Sequence, residues 1–292
     1  MQTKENDFQR RAYWAQQMEL GYELVQKLIA FPVEECGEGF ASLPEAAAAA
    51  GVEMLFSTSK IVGELDRVYF LRESLVWDVL GIGREMNDRG WILKIEDGYR
   101  SLEMQRHLVR KPVLFDAILK KCIWENNGEI PPLEMIFRRA IVLIANIPKI
   151  GTHMSGSAID ISVFNRDDRS EVWRGYPYLE MSEHTPMRSP FIDATSLENR
   201  LKITALMESH GFMHFPFEFW HFNKNDAGGH ILTSNPAPAR YGAVNWNPIT
   251  NAVTPVTDPL TPLNPLPVFE KEVVAAIERA RQAQAGASGA TV

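Results

Sequence analysis

The chain has 292 residues, 45% of them hydrophobic, and a net charge of -7, so it can bury a sizeable core without disulfide or metal staples. The acidic balance and the lack of any basic block argue against a nucleic-acid partner. Cys36 and Cys122 stand far apart without metal-ligand spacing, which argues against a disulfide framework and for a reducing compartment.

The N-terminal residues carry no apolar core of the signal-peptide type, and the longest apolar run, Ala140 to Ile147, is far too short to span a bilayer. A soluble, cytoplasmic protein with no membrane partner is expected. Residues 6–30 predict an amphipathic helix with Trp14, Met18, Tyr22, Val25 and Ile29 on one face, stopped by Pro32. A loop and a short alanine-rich helix fill Glu34 to Gly51. Val68 to Arg89 reads as a core helix through Leu71, Leu75, Val76, Val79, Leu80, Ile82 and Met86, with Gly90 suited to a left-handed cap.

Trp91 to Ile95 reads as a strand ended by Asp97-Gly98, and Ser101 as the N-cap of the next helix. Arg100 therefore stands at a strand-to-helix junction, where scaffolds often present functional side chains. From Pro112 to Lys149 the pattern is helical, broken at Asn127-Gly128, with the second helix running Leu133 to Ile147. Residues 165–195 read as loop, and Ser196 to His210 as a helix capped by Ser196. Phe212 to Asn223 reads as an aromatic strand. Eight prolines between Pro236 and Pro267 mark an extended arm, followed by a helix from Pro267 to Gln284 and eight disordered residues. Such an arm needs a surface, either its own domain or a neighbouring subunit in a homo-oligomer. The expected division is residues 1–66 as an extension, 67–230 as the functional domain and 231–292 as the arm.

The richest stretch is Gly151 to Phe164, reading GTHMSGSAIDISVF. Ala158, Asp160 and Ser162 alternate with Ile159, Ile161 and Val163, so the branched face suits the core and Asp160 points the other way, toward the space His153 can reach. Two imidazoles and a carboxylate can hold a catalytic zinc ion, and His221 in Glu218-Phe219-Trp220-His221 is the best third ligand. On one ideal strand Glu218 and His221 would face opposite ways, so a bulge or turn near Pro216-Phe217 must correct that. A core histidine with a hydrogen-bond partner explains the same residues, and His107, His184, His210, His214 and His230 are other candidates with weaker surroundings.

Taken in order, Asp97-Gly98-Tyr99-Arg100, His153-x-x-Gly156-x-Ala158-x-Asp160 and Glu218-x-x-His221 resemble the zinc D-alanyl-D-alanine dipeptidases of the vancomycin-resistance type and related D,D-carboxypeptidases. The resemblance covers about Arg67 to Asn223. It implies a compact α+β domain whose mainly antiparallel sheet carries one zinc per chain, with His153, Asp160 and His221 as ligands, Glu218 as base and Arg100 stabilising the transition state. A small peptide, such as D-Ala-D-Ala, is the implied substrate. Glu180 is the nearest counterpart of the acidic residue that holds a substrate's amino group, and Ser155 and Ser157 are further candidate contacts. Two departures concern the pocket: Gly151 replaces a usual serine, and no tyrosine occurs near Leu55 to Ser59. Alternatives are a carboxypeptidase or amidase acting on cell-wall peptides, and a non-enzymatic zinc-binding module resembling hedgehog domains.

Overall fold

The alternation read from Ala158 onward builds the middle of the molecule. In the computed structural model, which describes residues 2–289, β5 (Ala158–Asn165) is the central strand of a five-stranded sheet. Its order is β2 (Met54–Phe56), β4 (Trp91–Asp97), β5, β7 (His221–Asn223) and β6 (Met213–His214). The pairs are antiparallel except β2 with β4, which is parallel. With nine helices flanking the strands among the described residues, the fold is α+β.

Ile159, Ile161 and Val163 turn to one face and join Leu93 and Ile95 of β4 in the main core. Helix α3 (Glu73–Asp88) covers that face with Leu75, Val76, Val79 and Leu80, and α7 (Ala194–Ser209) with Ile203, Leu206 and Met207. Each such side chain taken fully out of water contributes roughly 1.5–3 kcal/mol. The opposite face, which carries Asp160, is roofed by α1 (Gln2–Ala30), α5 (Pro112–Glu125) and α6 (Leu133–Leu143). Helix α1 comes very close to α6 at Gly21, where a Cβ would lie 2.6 Å from Val142 Cγ1. Buried Glu183, from the loop after β5, ties the roof together through Arg10 of α1 and Lys121 of α5.

Several local expectations are corrected. The helix read from Val68 begins only at Glu73, because Phe70–Arg72 forms β3 and pairs with β1 (Phe40–Ser42). Between these, α2 (Leu43–Ala50) is the alanine-rich helix, capped by Ser42 and ended by Gly51 at φ 62°. Helix α6 stops at Leu143, four residues short, where Ile144 turns extended. The cap of α7 is Asp193, whose carboxylate accepts from the Ser196 N–H at 2.8 Å, so the helix starts before Ser196. The aromatic run is two short strands joined by a turn rather than one strand. Ser101 does cap α4 (Leu102–Leu108), accepting from Met104 N–H.

The proline arm lies back on its own chain. Tyr241 bridges to Asp226, beside the short α8 (Ala227–Leu232), and Ala239 to Val33. A hairpin follows, formed by β8 (Val244–Trp246) and β9 (Val253–Pro255). Trp246 packs on Phe40, Phe70 and Tyr99, and the Tyr99 hydroxyl donates to Val244 C=O at 3.0 Å. The last helix, α9 (Leu266–Gly289), buries Phe269, Val273 and Ala276 in a cluster with Phe115 and Ile118 of α5. It extends five residues beyond Gln284 into the stretch read as disordered, whose last three residues lie outside those described. Among the described residues no helix is long and apolar enough to cross a membrane, and both cysteines are free.

Candidate active site

Sheet register places Asp160 of β5 directly opposite His221 of β7. His153 arrives from a single 3-10 turn, Thr152–Ser155, closed by Gly156 at φ 69°. A side chain at Gly156 would be strained by that φ, and its Cβ would fall 2.1 Å from the Phe40 ring. Asp160 Oδ1 then lies 3.3 Å from His153 Nε2 and 2.9 Å from His221 Nδ1. One ligand atom from each of the three buried residues sits within 4.8 Å of the others.

Both imidazoles are held from behind. His153 Nδ1–H donates to the Gly98 carbonyl at 2.7 Å; a carbonyl only accepts, so a proton is on Nδ1, and Nε2 is the nitrogen that faces Asp160. His221 Nε2 meets the Thr152 hydroxyl at 2.9 Å, which leaves Nδ1 for the shared space. Outer partners of this kind fix the tautomer of metal-ligating histidines. The donor set of two imidazole nitrogens and a carboxylate oxygen fits a catalytic zinc site, and these residues could hold one metal ion.

The second Asp160 oxygen accepts from the Tyr178 hydroxyl at 2.8 Å and lies 3.9 Å from Arg100 Nη2. Arg100 Nε donates to Asp97 Oδ2 at 2.7 Å, and Arg67 Nη1 lies 3.3 Å from the same oxygen. Two carboxylates and two guanidiniums thus interleave around the site. Burial alone would push the Asp160 carboxyl up, but His153 and His221 outweigh it and hold it well below the ordinary range. Burial, reinforced by Asp97 and Asp160, drives the Tyr178 hydroxyl well above its usual value, so it stays protonated and donates.

Glu218 reaches the site through the turn that divides the aromatic run. Within it Phe215 N–H donates to His221 C=O at 2.9 Å and His221 N–H to Glu218 C=O at 3.1 Å. This break in alternation puts Glu218 and His221 into one cavity of about 280 Å³, together with Arg100, His153 and Asp160. Burial raises the Glu218 carboxyl above the ordinary range, with Asp160 adding to it against the pull of His221. A buried carboxylate with raised proton affinity is suited to general-base work near neutral pH.

Glu180 lines the same cavity, but Ser155 and Ser157 do not. Ser155 donates to Thr152 C=O, Ser157 donates to Asp226 Oδ2 at 2.6 Å, and the two hydroxyl oxygens lie against one another. They brace the turn under His153 rather than face the open space. The remaining histidines have other partners: Glu64 for His107, Ser182 for His184, Glu85 for His210, Glu208 for His214 and the Ala237 carbonyl for His230. Sequence reasoning missed four residues. Asp97 was visible in the Asp-Gly-Tyr-Arg turn as an acid three residues before Arg100, whereas Arg67, Thr152 and Tyr178 carried no local signal.

Known proteins resemble this chain over part of its length. A family profile described as D-ala-D-ala dipeptidase matches residues 139–241, a span that holds His153, Asp160, Glu218 and His221 but not Arg100. The D-alanyl-D-alanine dipeptidase of Enterococcus faecium is 28% identical over 186 residues, covering 64% of this chain and 80% of its own. A second D-alanyl-D-alanine dipeptidase, from Enterococcus faecalis, is 28% identical over 137 residues, 47% of this chain and 64% of its own. The solved LdcB LD-carboxypeptidase aligns with a TM-score of 0.35 and 17% identity, over 65% of this chain and 74% of that one.

Proposed function

We propose that the chain is a metallopeptidase of the D-ala-D-ala dipeptidase family and that it hydrolyses a short peptide containing D-amino acids, in the manner of D-Ala-D-Ala cleavage. The observation that carries the reading is the convergence of His153, Asp160 and His221 in the cavity that Glu218 and Arg100 also line.

His153, Asp160 and His221 would hold one zinc ion. Zinc bound there would supply Lewis acidity, letting water ionise near pH ~7 and polarising the scissile carbonyl. Glu218 takes the proton of the attacking water and delivers it to the leaving amine as the C–N bond breaks, acting first as base and then as acid. Arg100, held on Asp97 at 2.7 Å, keeps its positive charge toward the cavity and stabilises the oxyanion as it forms. Tyr178 holds Asp160 in its ionised orientation. Glu180 supplies a carboxylate at the cavity wall for the free amino group of a dipeptide.

The test is a panel of D,D-, L,D- and D,L-dipeptides, each offered free and N-blocked, to wild type and Glu218→Ala. Turnover of free but not N-blocked dipeptides by wild type, falling by orders of magnitude in Glu218→Ala at unchanged zinc content, is expected. Preference for N-blocked peptides would assign a carboxypeptidase or amidase instead. Full activity in Glu218→Ala would remove the base assignment.

A further inference from the structure

We propose that the substrate of this site carries a bulky apolar side chain, seated against helices α1 and α6. The proposal rests on the peptidase reading above and goes beyond it in naming the substrate class. The cavity that holds His153, Asp160 and Glu218 continues under the helical roof, where Trp14, Met18, Val25, Ile141, Ile144 and Phe217 line it. Trp14 and Met18 are each only 2% exposed, and the Trp14 indole N–H donates to Glu125 at 3.1 Å, so this wall is fixed in place. The close approach of α1 to α6 at Gly21 sets the height of the roof.

Arg67, Arg100 and Glu180 line the same cavity and can serve the peptide's carboxylate, oxyanion and amine. Two alanine methyls would leave much of the apolar wall facing water. A Leu- or Phe-sized side chain would cover it, and each methylene so placed in an apolar pocket typically changes kcat/KM by about 10- to 200-fold. Of this wall, Trp14, Met18 and Val25 of helix α1 lie outside the residues 139–241 matched by the family profile, whereas Ile141, Ile144 and Phe217 lie within them.

The experiment compares kcat/KM of the zinc-loaded full chain for D-Ala-D-Ala with D-Leu-D-Ala, D-Ala-D-Leu, D-Phe-D-Ala and D-Ala-D-Phe. At least one bulky dipeptide is expected to exceed D-Ala-D-Ala by about tenfold or more. Met18→Ala and Ile141→Ala, which enlarge the wall at two independent points, should raise the ratio of Phe to Leu substrates; a merely structural loss would lower all substrates together. If D-Ala-D-Ala is the best substrate, or the ratio stays fixed in both variants while Glu218→Ala is inactive, the side-chain proposal is overturned and the peptidase reading stands. No turnover of any dipeptide by zinc-loaded protein overturns both.

Discussion

Thr152→Val removes a single hydroxyl at nearly constant shape, and its effect is predicted to fall on metal affinity. In the structure that hydroxyl stands 2.9 Å from Nε2 of His221, a residue only 6% exposed. Without metal, His221 can move its proton to Nδ1 and donate to Asp160, 2.9 Å away, so the loss of Thr152 is largely absorbed. With metal on Nδ1 the tautomer is fixed, and the Nε2–H is left buried without an acceptor. An unsatisfied buried donor costs about 1–3 kcal/mol. Removing an outer partner of a ligand typically weakens metal binding about 10- to 100-fold, or ~1.4–2.8 kcal/mol, in agreement. Competition for zinc against a chromophoric chelator measures this. Thr152→Ser keeps the acceptor and should bind zinc as wild type does. Equal affinity in Thr152→Val and wild type would refute the role of the hydroxyl and the Nδ1 assignment with it.

Further outcomes follow from the same geometry. Arg100→Ala should keep zinc but lower kcat by about 10²- to 10³-fold, as loss of one oxyanion stabiliser does; an unchanged kcat in steady-state assays would remove Arg100 from the chemistry. Gly156→Ala should destabilise by about 2–5 kcal/mol, combining the left-handed backbone with the clash on Phe40, and urea unfolding reads this directly. Burial would raise the Glu183 carboxyl, but Lys121 and Arg10 outweigh it and hold it below its ordinary 4.5. Folded Glu183 therefore binds a proton more weakly than the unfolded chain, so its ion pairs contribute stability above pH 4.5 that is lost as pH falls through the folded value. Glu183→Gln should cost about 3 kcal/mol at neutral pH and flatten that acid limb, which unfolding curves at several pH values would show.

The central strand was legible because its alternation is strict and its core face is wholly branched, and Ser101 because capping is a local interaction. The ordered motifs also anticipated which side chains would meet, since Asp160 and His221 are cross-strand partners. The turn between β6 and β7 was legible only as a requirement: aromatic composition favoured one strand, and the reversal at Phe215 to Trp220 depends on tertiary packing around Phe219 and Trp220. Tyr178 was hidden for a related reason. It lies in the long loop between Asn165 and Ala194, without periodicity, and only the folded chain brings it to Asp160. The stripe Trp14, Met18 and Val25 was legible as one face of an amphipathic helix, yet part of what it packs around is the cavity beside His153 and Asp160. The arm could be given extended character from its prolines but no destination, because that is set by contacts with residues more than a hundred positions away.

The account stands most directly on one measurement: zinc content and dipeptide turnover of the purified chain before chelation, after it, and on titrating zinc back. One zinc per chain is predicted, with activity lost on chelation and restored at one equivalent. Turnover that survives complete metal removal, or protein that never binds zinc stoichiometrically, would contradict a catalytic centre built on His153, Asp160 and His221.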